Sequence, residues 1–381
     1  MSEPATGHLL ASAVPEQGHP VRLAIATEWI DARAGSEQVF EAMAQAWPDA
    51  DLYALTHAPG VDLDVGGREI TTTWLDRTGL LRNTRAATLP LMPLAWQAID
   101  APDYDVVITS SHAFARWFAP ARAALHLSYV HAPARYLWTP ELDARTRTRP
   151  GVSRVLGAPL RALDRRSVSW TDAFAANSRA VAERIEQFYG RPARVIHPPV
   201  DVQRFAPLPD DQVKPGSALF VGRFIAYKRP DLAIEACARA GVPLTVAGYG
   251  PLEGQLRAQA AGTATTFVVR PDGSTLERLF REATVLLHPA EEDFGLVPVE
   301  AIASGTPVLA YDAGGARDTV TEGATGHLVA EQSAEAFAAA LDSMDWGTFR
   351  PSALHAAAQH WRRDRFTSEI RAWVDETMAS A

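Results

Sequence analysis

The sequence is poor in cysteine and in long apolar runs, and both absences limit what the chain can be. Cys237 is the only thiol among 381 residues, which excludes a disulfide framework and a cysteine zinc cluster and favours a reducing compartment. No apolar run is long enough to span a bilayer, and residues 1–20 lack the apolar core of a signal peptide. We therefore expect a flexible N-terminus over residues 1–20 and a cytoplasmic location.

An excess of positive charge and one glycine motif are also missing. The formal net charge is −9, which argues against wholesale nucleic-acid binding because a polyanion needs a positive surface. No GxGxxG pattern follows the first predicted strand, which weakens the case for a dinucleotide cofactor. The chain does have 47% hydrophobic residues, enough for a large core, and its length predicts two domains.

Buried-strand and helix patterns alternate along the chain, which is typical of parallel βαβ units. The alternation stops in the proline- and aspartate-rich segment 207–216 and then restarts, so this segment is the best candidate for a linker. We predict an α/β fold with two Rossmann-like α/β/α domains, residues 21–203 and 204–349, that face each other across a cleft.

The tail of the chain is predicted to be an amphipathic helix. Trp361, Phe366, Ile370 and Trp373 recur at helical spacing, so one face of the tail must pack against another surface. We expect residues 350–381 to cross back to the first domain.

The stretch HPAEEDFGLVPVEAIASG, residues 288–305, is the most informative segment. It leaves an apolar strand, crosses an acidic loop and enters a short helix. Glu292 lies in the loop and Glu300 about one turn into the helix, so both carboxylates can face one ligand. Phe294, Gly295 and Leu296 form the turn between them, where free backbone N–H groups and the helix dipole favour a phosphate. This arrangement suits a nucleotide-sugar, which has hydroxyls at both ends and phosphate in the middle.

Post-strand loops supply further candidates. Gly222 and Arg223 follow a predicted strand, and Lys228 comes five residues later, so two cations on one loop can clamp a diphosphate leaving group. The alternative is a solvated basic turn. Gly35 follows the first strand, where it is either a phosphate contact or only a tight turn. His131 ends a strand at the predicted cleft and is either structural or catalytic.

No metal or other cofactor is expected. Three Asp-x-Asp spacings, at 49–51, 62–64 and 103–105, have the form of a metal-binding pair. Acidic chains produce this spacing by chance, and nothing nearby completes a cage of oxygen ligands. Arg223 and Lys228 can neutralise the phosphate charge instead.

These motifs together carry a family resemblance. The segments GRFIAYKRPDLAIEA, AGYGP, HPAEEDFGLVPVEAIASGTPV and DAGGARDTV resemble the retaining glycosyltransferases of family 4, which have the GT-B fold. YVHAPARYLW, FAANS and HPPVD extend the resemblance more loosely through the first domain. The resemblance implies that the first domain binds the acceptor and the second binds the nucleotide-sugar donor.

The resemblance also implies roles for single residues. Arg223 and Lys228 would stabilise the leaving diphosphate, Glu292 would contact hydroxyls of the transferred sugar, and Glu300 would contact the ribose. Neither glutamate is a convincing nucleophile, and the family uses front-face transfer, in which the leaving phosphate helps to deprotonate the acceptor.

Other positions line the donor by resemblance. Phe294, Gly295 and Leu296 would offer N–H groups to sugar and phosphate, with Gly222 on the facing loop. Gly35 would approach the phosphates from the first domain, and His131 would lie near the anomeric carbon and the acceptor. Val269 and Arg270 fall where the family holds the nucleobase edge, although the RPDGS loop departs from the usual pattern.

Donor and acceptor remain open at this point. SYVHAPARYLWTP and YKRPDLAIEA resemble most the bacterial mannosyltransferases that use GDP-mannose, and a UDP-sugar is the alternative. The acceptor is a hydroxyl of a glycan, a lipid-linked molecule or a small molecule. Residues 145–166 carry seven arginines among apolar residues, so they form either a peripheral membrane contact or a solvated helix face. A nucleotide-sugar epimerase, a phosphorylase and a non-catalytic sensor are the rival functions.

Overall fold

The computed structural model describes residues 21–78, 88–139, 150–212, 214 and 216–381. The predicted flexible N-terminus, residues 1–20, lies outside these ranges, as does the start of the arginine-rich stretch 145–166. Within them the chain forms two units, each a parallel sheet covered by helices on both faces. The prediction of two Rossmann-like α/β domains is confirmed.

The first unit is built on a sheet of entirely parallel strands in the order β3-β2-β1-β4-β5-β6-β7. These strands are β1 (Leu23–Ile30), β2 (Asp51–His57), β3 (Ile70–Thr72), β4 (Val106–Ser111), β5 (Leu125–Val130), β6 (Ala173–Ala176) and β7 (Arg194–Val195). β1 pairs with both β2 and β4, so the strand order reverses beside β1. The loops that follow β1 and β4 diverge there and leave a crevice at the carboxyl edge of the sheet.

The second unit repeats this plan with the order β10-β9-β8-β11-β12-β13, again all parallel. Its strands are β8 (Ala218–Arg223), β9 (Leu244–Tyr249), β10 (Thr265–Val269), β11 (Val285–His288), β12 (Val308–Tyr311) and β13 (Gly326–Val329). β8 pairs with β9 and β11, so the reversal lies between β8 and β11. The loops after these two strands are therefore neighbours, although about sixty residues separate them.

Helices cover both faces of each sheet. The first unit contains α1 (Gly35–Ala46), α2 (Trp74–Thr78), α3 (Met92–Gln97), α4 (Arg135–Trp138), α5 (Pro150–Val168) and α6 (Arg179–Tyr189). The second contains α7 (Pro230–Ala240), α8 (Glu253–Gln259), α9 (Gly273–Glu282), α10 (Leu296–Ala303), α11 (Ala316–Thr319), α12 (Ala334–Ser343) and α13 (Pro351–Ala358), and α14 (Arg363–Ser380) ends the chain. Local chemistry sets several of their ends. Ser178 caps α6 by accepting from Val181 N at 3.1 Å, and Gly190, with φ 65°, ends it.

The passage between the units lies earlier than predicted. Ile196 packs in the first core, whereas Val200 and Val202 pack in the second, so the chain crosses at 197–199 rather than at 203/204. Described residues of the predicted linker 207–216 contact the second unit. Asp210 Oδ2 accepts from Ser352 Oγ at 2.6 Å and Lys214 Nζ donates to Gly305 O at 2.7 Å. Polar contacts of Asp210 and Lys214 attach the segment to the second unit, and the sequence pattern does not reveal such contacts.

The tail crosses back to the first unit, as predicted, but it starts later than residue 350. Leu354 of α13 and Trp361 still pack in the second core. From residue 363 onwards α14 buries Phe366, Ile370 and Trp373 against α1. Only α14 therefore returns to the first unit.

Among the described residues no helix is long and apolar enough to cross a membrane. The described part of the arginine-rich stretch belongs to α5, where Leu160 is buried. Two of its arginines make contacts within the protein. Arg161 Nη1 donates to Leu137 O at 3.1 Å, and the Arg165 guanidinium lies 4.8 Å from the Trp138 ring centroid. Membrane contact through 145–166 stays a prediction.

Candidate active site

The acidic loop after β11 forms the centre of the candidate site. β11 ends at the buried His288, and the chain turns at Gly295, whose φ of 88° favours glycine, before α10 begins at Leu296. The backbone N–H groups of Phe294, Gly295 and Leu296 have no hydrogen-bond partner in the part of the chain that the structure describes. Free N–H groups at a helix N-terminus bind anions, so this turn is suited to a phosphate or a sugar hydroxyl.

The loop after β8 meets the acidic loop because β8 and β11 are adjacent strands. β8 ends with Gly222 and Arg223, and the turn Ala226–Lys228 follows. Lys228 Nζ forms an ion pair with Glu292 Oε1, and both side chains are mostly buried, with 13% and 16% of their surfaces exposed. The structure thus joins two of the predicted residues that are far apart in sequence.

Electrostatics keep Glu292 ionised. Burial raises the pKa of Glu292, but Lys228, His288 and Arg135 together outweigh burial and lower that pKa to about 2. His288 Nε2 lies 3.6 Å from Glu292 Oε1, yet burial lowers the pKa of His288 to about 4, so this ring is neutral near pH 7. Glu292 is therefore a hydrogen-bond acceptor that is already neutralised by Lys228, which makes it a poor nucleophile.

Glu300 lies farther along α10 and behaves differently. Its carboxylate has no hydrogen-bond or ion-pair partner among the described residues, and its side chain is half-buried. Burial raises the pKa of Glu300 to about 7, although Arg204 and Lys228 lower it in part. A half-buried carboxylate without a partner is available to accept hydrogen bonds from a ligand.

A second glycine-rich loop supports the acidic loop from behind. Gly315 N donates to Glu292 O at 2.8 Å, and a Cβ on Gly315 would lie only 2.2 Å from Phe294 O. A Cβ on Gly314 would meet Glu292 O at the same distance. Gly314 and Gly315 therefore allow two backbones to pack closely.

A cavity of about 380 Å³ opens next to the loop after β8. Its lining includes Arg223, Tyr249, Gly250, Pro251 and Arg270. The Arg270 guanidinium lies 5.0 Å from the Tyr249 ring centroid, and Arg270 adopts φ 52° while its N–H donates to Gly248 O at 3.0 Å. Val269, which precedes it, is 37% exposed. Of the two predicted nucleobase positions, Arg270 therefore lines a cavity that Arg223 also lines.

The first unit contributes Gly35 to the opposite wall. A Cβ on Gly35 would lie 2.6 Å from Leu296 Cδ1, so the N-terminus of α1 directly faces the N-terminus of α10. The two helix N-termini approach each other across the cleft, where both dipoles favour negative charge. Glycine at position 35 is what leaves room for this approach.

His131 directly follows β5 on the same wall. Its Nε2 lies 2.8 Å from Ser110 Oγ, and its backbone O accepts from Asn177 Nδ2 at 2.9 Å. Burial and the neighbouring His112 lower the pKa of His131 to about 3, so the ring is neutral at physiological pH. When the serine donates to Nε2, Nδ1 carries the proton and can donate it to a ligand.

Two family models match the chain, one after the other. Glycosyltransferase Family 4 matches residues 8–204, and Glycosyl transferases group 1 matches residues 209–345. The chain belongs to glycosyltransferase family 4. The resemblance of the motif segments to this family is confirmed.

Curated relatives are similar over part of their length. The D-inositol 3-phosphate glycosyltransferase of Streptomyces coelicolor is 31% identical over 318 residues, which are 70% of this chain and 67% of the relative. The enzyme of the same name from Streptomyces griseus is 35% identical over 221 residues, 46% of each chain. The matches span about half to two thirds of the length of these family 4 relatives.

Solved structures share the architecture. Sucrose-phosphate synthase from Thermosynechococcus elongatus superposes with a TM-score of 0.69 at 21% identity, covering 94% of this chain and 100% of the other. HepE from Anabaena, in complex with UDP and glucose, superposes with a TM-score of 0.66 at 17% identity, covering 93% and 100%. These similarities show the fold, and the family 4 chain has the GT-B arrangement that its sequence predicted.

The predicted residues fall into three groups in this family 4 chain. Lys228 contacts Glu292 next to the turn that contains Gly295. Arg223 lies on the same loop as Lys228 but lines the cavity with Arg270, so the two cations do not share one contact. Gly35 and His131 lie on the wall of the first unit. Their roles toward a ligand stay predictions.

Sequence reasoning missed the ion pairs between the units. Asp293, next to Glu292, accepts from Arg135 Nε at 2.7 Å and is also paired with Arg184, both from the first unit. Asp318 accepts from Arg179 Nε at 2.9 Å and lies 3.1 Å from His197 Nε2. Arg135 lies in the YVHAPARYLW segment, but its partner is 158 residues away, so no local pattern indicates the pair.

One aspartate of each Asp-x-Asp spacing accepts a hydrogen bond within the first unit. Asp51 accepts from Tyr104 OH at 2.6 Å, Asp64 from Gln45 Nε2 at 2.9 Å, and Asp105 from Arg22 N at 2.8 Å. Across the described ranges no three His, Cys, Asp or Glu side chains are grouped so that they could hold a metal ion.

Proposed function

We propose that this chain is a retaining glycosyltransferase that moves a hexose from a nucleoside-diphosphate sugar to a hydroxyl of its acceptor. One observation carries the proposal. The ion pair of Lys228 with Glu292 lies beside the free N–H groups of residues 294–296, so one position offers a cation, dipoles for phosphate and a carboxylate for sugar hydroxyls. It lies where the strand order reverses, the usual place for a ligand in such sheets.

In the proposed reaction the bond between the sugar C1 and the diphosphate oxygen breaks while the acceptor oxygen bonds to C1 on the same face. The acceptor proton passes to the leaving phosphate. Lys228, Arg223 and the N–H groups at the start of α10 stabilise the charge that develops on the diphosphate, and such stabilisation supplies most of the rate. Glu292 holds the sugar through its hydroxyls and does not attack C1. This mechanism needs no metal.

The proposed donor is GDP-mannose, and the support is the resemblance of the SYVHAPARYLWTP and YKRPDLAIEA segments to mannosyltransferases. A UDP-sugar is the second candidate, because HepE, which shares the fold, was solved in complex with UDP and glucose. In both cases Glu300 accepts hydrogen bonds from the ribose, and the base occupies the cavity beside Val269 and Arg270.

Acceptors of several kinds fit the same chemistry. A glycan, a lipid-linked molecule and a small molecule each supply the hydroxyl. The curated relatives are named D-inositol 3-phosphate glycosyltransferases, so a phosphorylated polyol is one acceptor to test. Contact of residues 145–166 with an anionic membrane belongs to the lipid-linked alternative.

A thermal-shift panel with GDP, UDP and ADP in the presence of a chelator tests the donor site. A nucleotide at about a hundred times its dissociation constant adds roughly 2.7 kcal/mol of stability. A shift with GDP alone supports GDP-mannose, and a shift with UDP alone supports the second candidate. No shift with any nucleotide contradicts the proposal.

Product analysis then separates the rival functions. GDP-mannose and UDP-glucose are incubated with an acceptor panel that contains D-inositol 3-phosphate, a methyl mannoside and a lipid-linked sugar. Transfer with retained anomeric configuration and no added metal supports the proposal. An epimerase changes the donor without an acceptor, a phosphorylase needs inorganic phosphate, and a non-catalytic sensor binds nucleotide without turnover.

A further inference from the structure

The cavity beside the loop after β8 is lined by an acidic side chain as well as by two arginines. Glu253 of α8 lines it together with Arg223 and Arg270. A carboxylate only accepts hydrogen bonds, whereas a guanidinium only donates them. The cavity therefore offers acceptors and donors to the same ligand.

The Glu253 carboxylate is held in place by contacts on the side of Oε1. Arg257 Nε, one turn later in α8, donates to Glu253 Oε1 at 3.0 Å. The Arg257 guanidinium itself lies 4.7 Å from the centroid of the Phe267 ring in β10. Glu253 Oε2 accepts no hydrogen bond from the residues that the structure describes, and the side chain is 33% exposed. One carboxylate oxygen is thus fixed by the protein while the other is available to a ligand.

A flat aromatic and cationic pair borders the same cavity. Tyr249 ends β9 and Arg270 follows β10, and these two strands are adjacent and parallel. Both side chains line the cavity, with 5.0 Å between the Arg270 guanidinium and the Tyr249 ring centroid, and 47% of Tyr249 is exposed. Aromatic rings and guanidinium planes stack on nucleobases with little preference among them. This pair therefore supplies affinity for a base, and a hydrogen-bonding group must supply the selection.

The Watson–Crick edge of guanine matches a carboxylate better than the edges of uracil and adenine do. Guanine presents two adjacent donors, N1–H and the 2-amino group, and a carboxylate can accept from both at once. Uracil has a single donor, N3–H, between two carbonyl oxygens that repel a negative charge. Adenine presents the acceptor N1 beside its amino group. An arginine also pairs with O6 and N7 of guanine.

We propose that Glu253 is the specificity-determining residue of the donor site and that it selects guanine. The base stacks beside Tyr249 and Arg270, and the Glu253 carboxylate accepts from N1–H and from the 2-amino group. This inference rests on the proposed function, in which the base occupies this cavity. It favours a GDP-sugar over a UDP-sugar through the chemistry of the cavity, without use of the motif resemblance.

The test compares GDP with inosine diphosphate (IDP), whose base lacks only the 2-amino group of guanine. Calorimetric titration of wild type should give a dissociation constant for IDP about tenfold above that for GDP, as expected for the loss of one charge-assisted hydrogen bond. The constant for UDP should be higher still. In E253Q the side chain keeps its length but loses its charge, so the GDP constant should rise about tenfold and the difference between GDP and IDP should shrink to about twofold. The UDP constant should not change.

E235Q is the matched control, because Glu235 and Arg239 of α7 form the same kind of pair one helical turn apart. Arg239 Nη2 donates to Glu235 Oε1 at 2.7 Å, and Glu235 is not among the described residues that line the cavity. E235Q should bind all three nucleotides as wild type does. Loss of a helical ion pair is thereby distinguished from loss of a contact with the base.

Three results would overturn the inference and leave the glycosyltransferase proposal intact. The first is wild type that binds GDP and IDP equally, a comparison that needs no variant. The second is E253Q with the same ratio of GDP and IDP constants as wild type. The third is wild type that binds UDP more tightly than GDP, in which case the UDP-sugar is the donor. Binding of none of the three nucleotides would overturn both proposals.

Discussion

Lys228 and Glu292 form an ion pair between two loops that are 64 residues apart in sequence, and this pair determines the charge at the centre of the cleft. Each side chain neutralises the other in the free protein. A diphosphate that enters must share Lys228 with Glu292, so the cation is already oriented toward the ligand. Preorganisation of this kind is what makes a charged group effective in a transition state.

Lys228→Ala should lower turnover by about a hundredfold, because the charge that develops on the leaving diphosphate loses one stabilising donor. The measurement is kcat with the donor that shifts the melting temperature. The chain contains one other lysine, Lys214, whose ammonium group is also largely buried and donates to Gly305 O and Thr306 Oγ1 at 2.7 Å. Lys214→Ala should lower stability but not kcat. A Lys228→Ala variant with normal kcat would remove Lys228 from the mechanism.

Nucleotide affinity should depend on pH through Glu300. Its pKa is raised to about 7 by burial, so the carboxylate form that accepts from ribose hydroxyls is populated only as pH rises through 7. Calorimetric titration of the nucleotide should give tighter binding at pH 8 than at pH 6. In Glu300→Gln the side chain keeps the shape of glutamate but cannot ionise. This variant should bind the nucleotide more weakly at pH 8, and its affinity should depend less on pH. Identical pH profiles in both proteins would contradict the ribose assignment.

Asp293→Asn should loosen the contact between the two units. Asp293 is 6% exposed and is held by Arg135 and Arg184, so its loss leaves two partly buried guanidinium groups without their carboxylate. We expect kcat to fall roughly tenfold and the radius of gyration in X-ray scattering to increase, with the nucleotide affinity less affected. Glu282→Gln, which breaks the exposed Arg278–Glu282 pair on α9, is the control. An unchanged radius and kcat would show that the pairs do not hold the units together.

Stability should fall in mild acid because several histidines are buried in the neutral form. Burial lowers the pKa of His126 and His131 to about 3 and that of His288 to about 4, whereas an unfolded histidine titrates near 6.5. The unfolded chain therefore binds protons first, and stability is lost as pH falls below about 6.5. Glu28, Glu37 and Glu300, whose pKa values are raised by burial, act in the opposite direction, so the histidine contribution is measured by comparing wild type with a variant that lacks one buried histidine.

Urea unfolding at pH 7.5 and 5.5 measures this effect, which should amount to roughly 1 kcal/mol per buried histidine. His126 offers a clean variant, since it is fully buried between Thr109 Oγ1 at 3.0 Å and Trp170 O at 3.1 Å, away from the cleft. His126→Gln should reduce the difference between the two pH values. An equal difference in wild type and in His126→Gln would contradict the prediction.

Much of the fold could be predicted because its signals are local. Apolar runs such as LAIATEWI in β1 and the capped helix that ends at Gly190 depend on neighbouring residues only. The domain boundary could not be placed in the same way. The prolines near residue 207 interrupt a pattern equally well in a linker and in an anchored surface segment, and contacts of Asp210 and Lys214 with distant residues made it the latter.

The candidate site likewise has features that follow from local sequence and features that depend on distant residues. By itself the sequence determined the acidic loop, the turn at Gly295 and the position of Glu300 on α10, since these lie within a dozen residues and follow from helix and turn chemistry. Only the tertiary structure decided that Lys228 pairs with Glu292, that Arg135 binds Asp293 and that Glu253 lines a cavity with Arg270. The physical reason is the strand order: each sheet reverses beside its first strand, β1 or β8, and brings the loops of distant segments to one carboxyl edge.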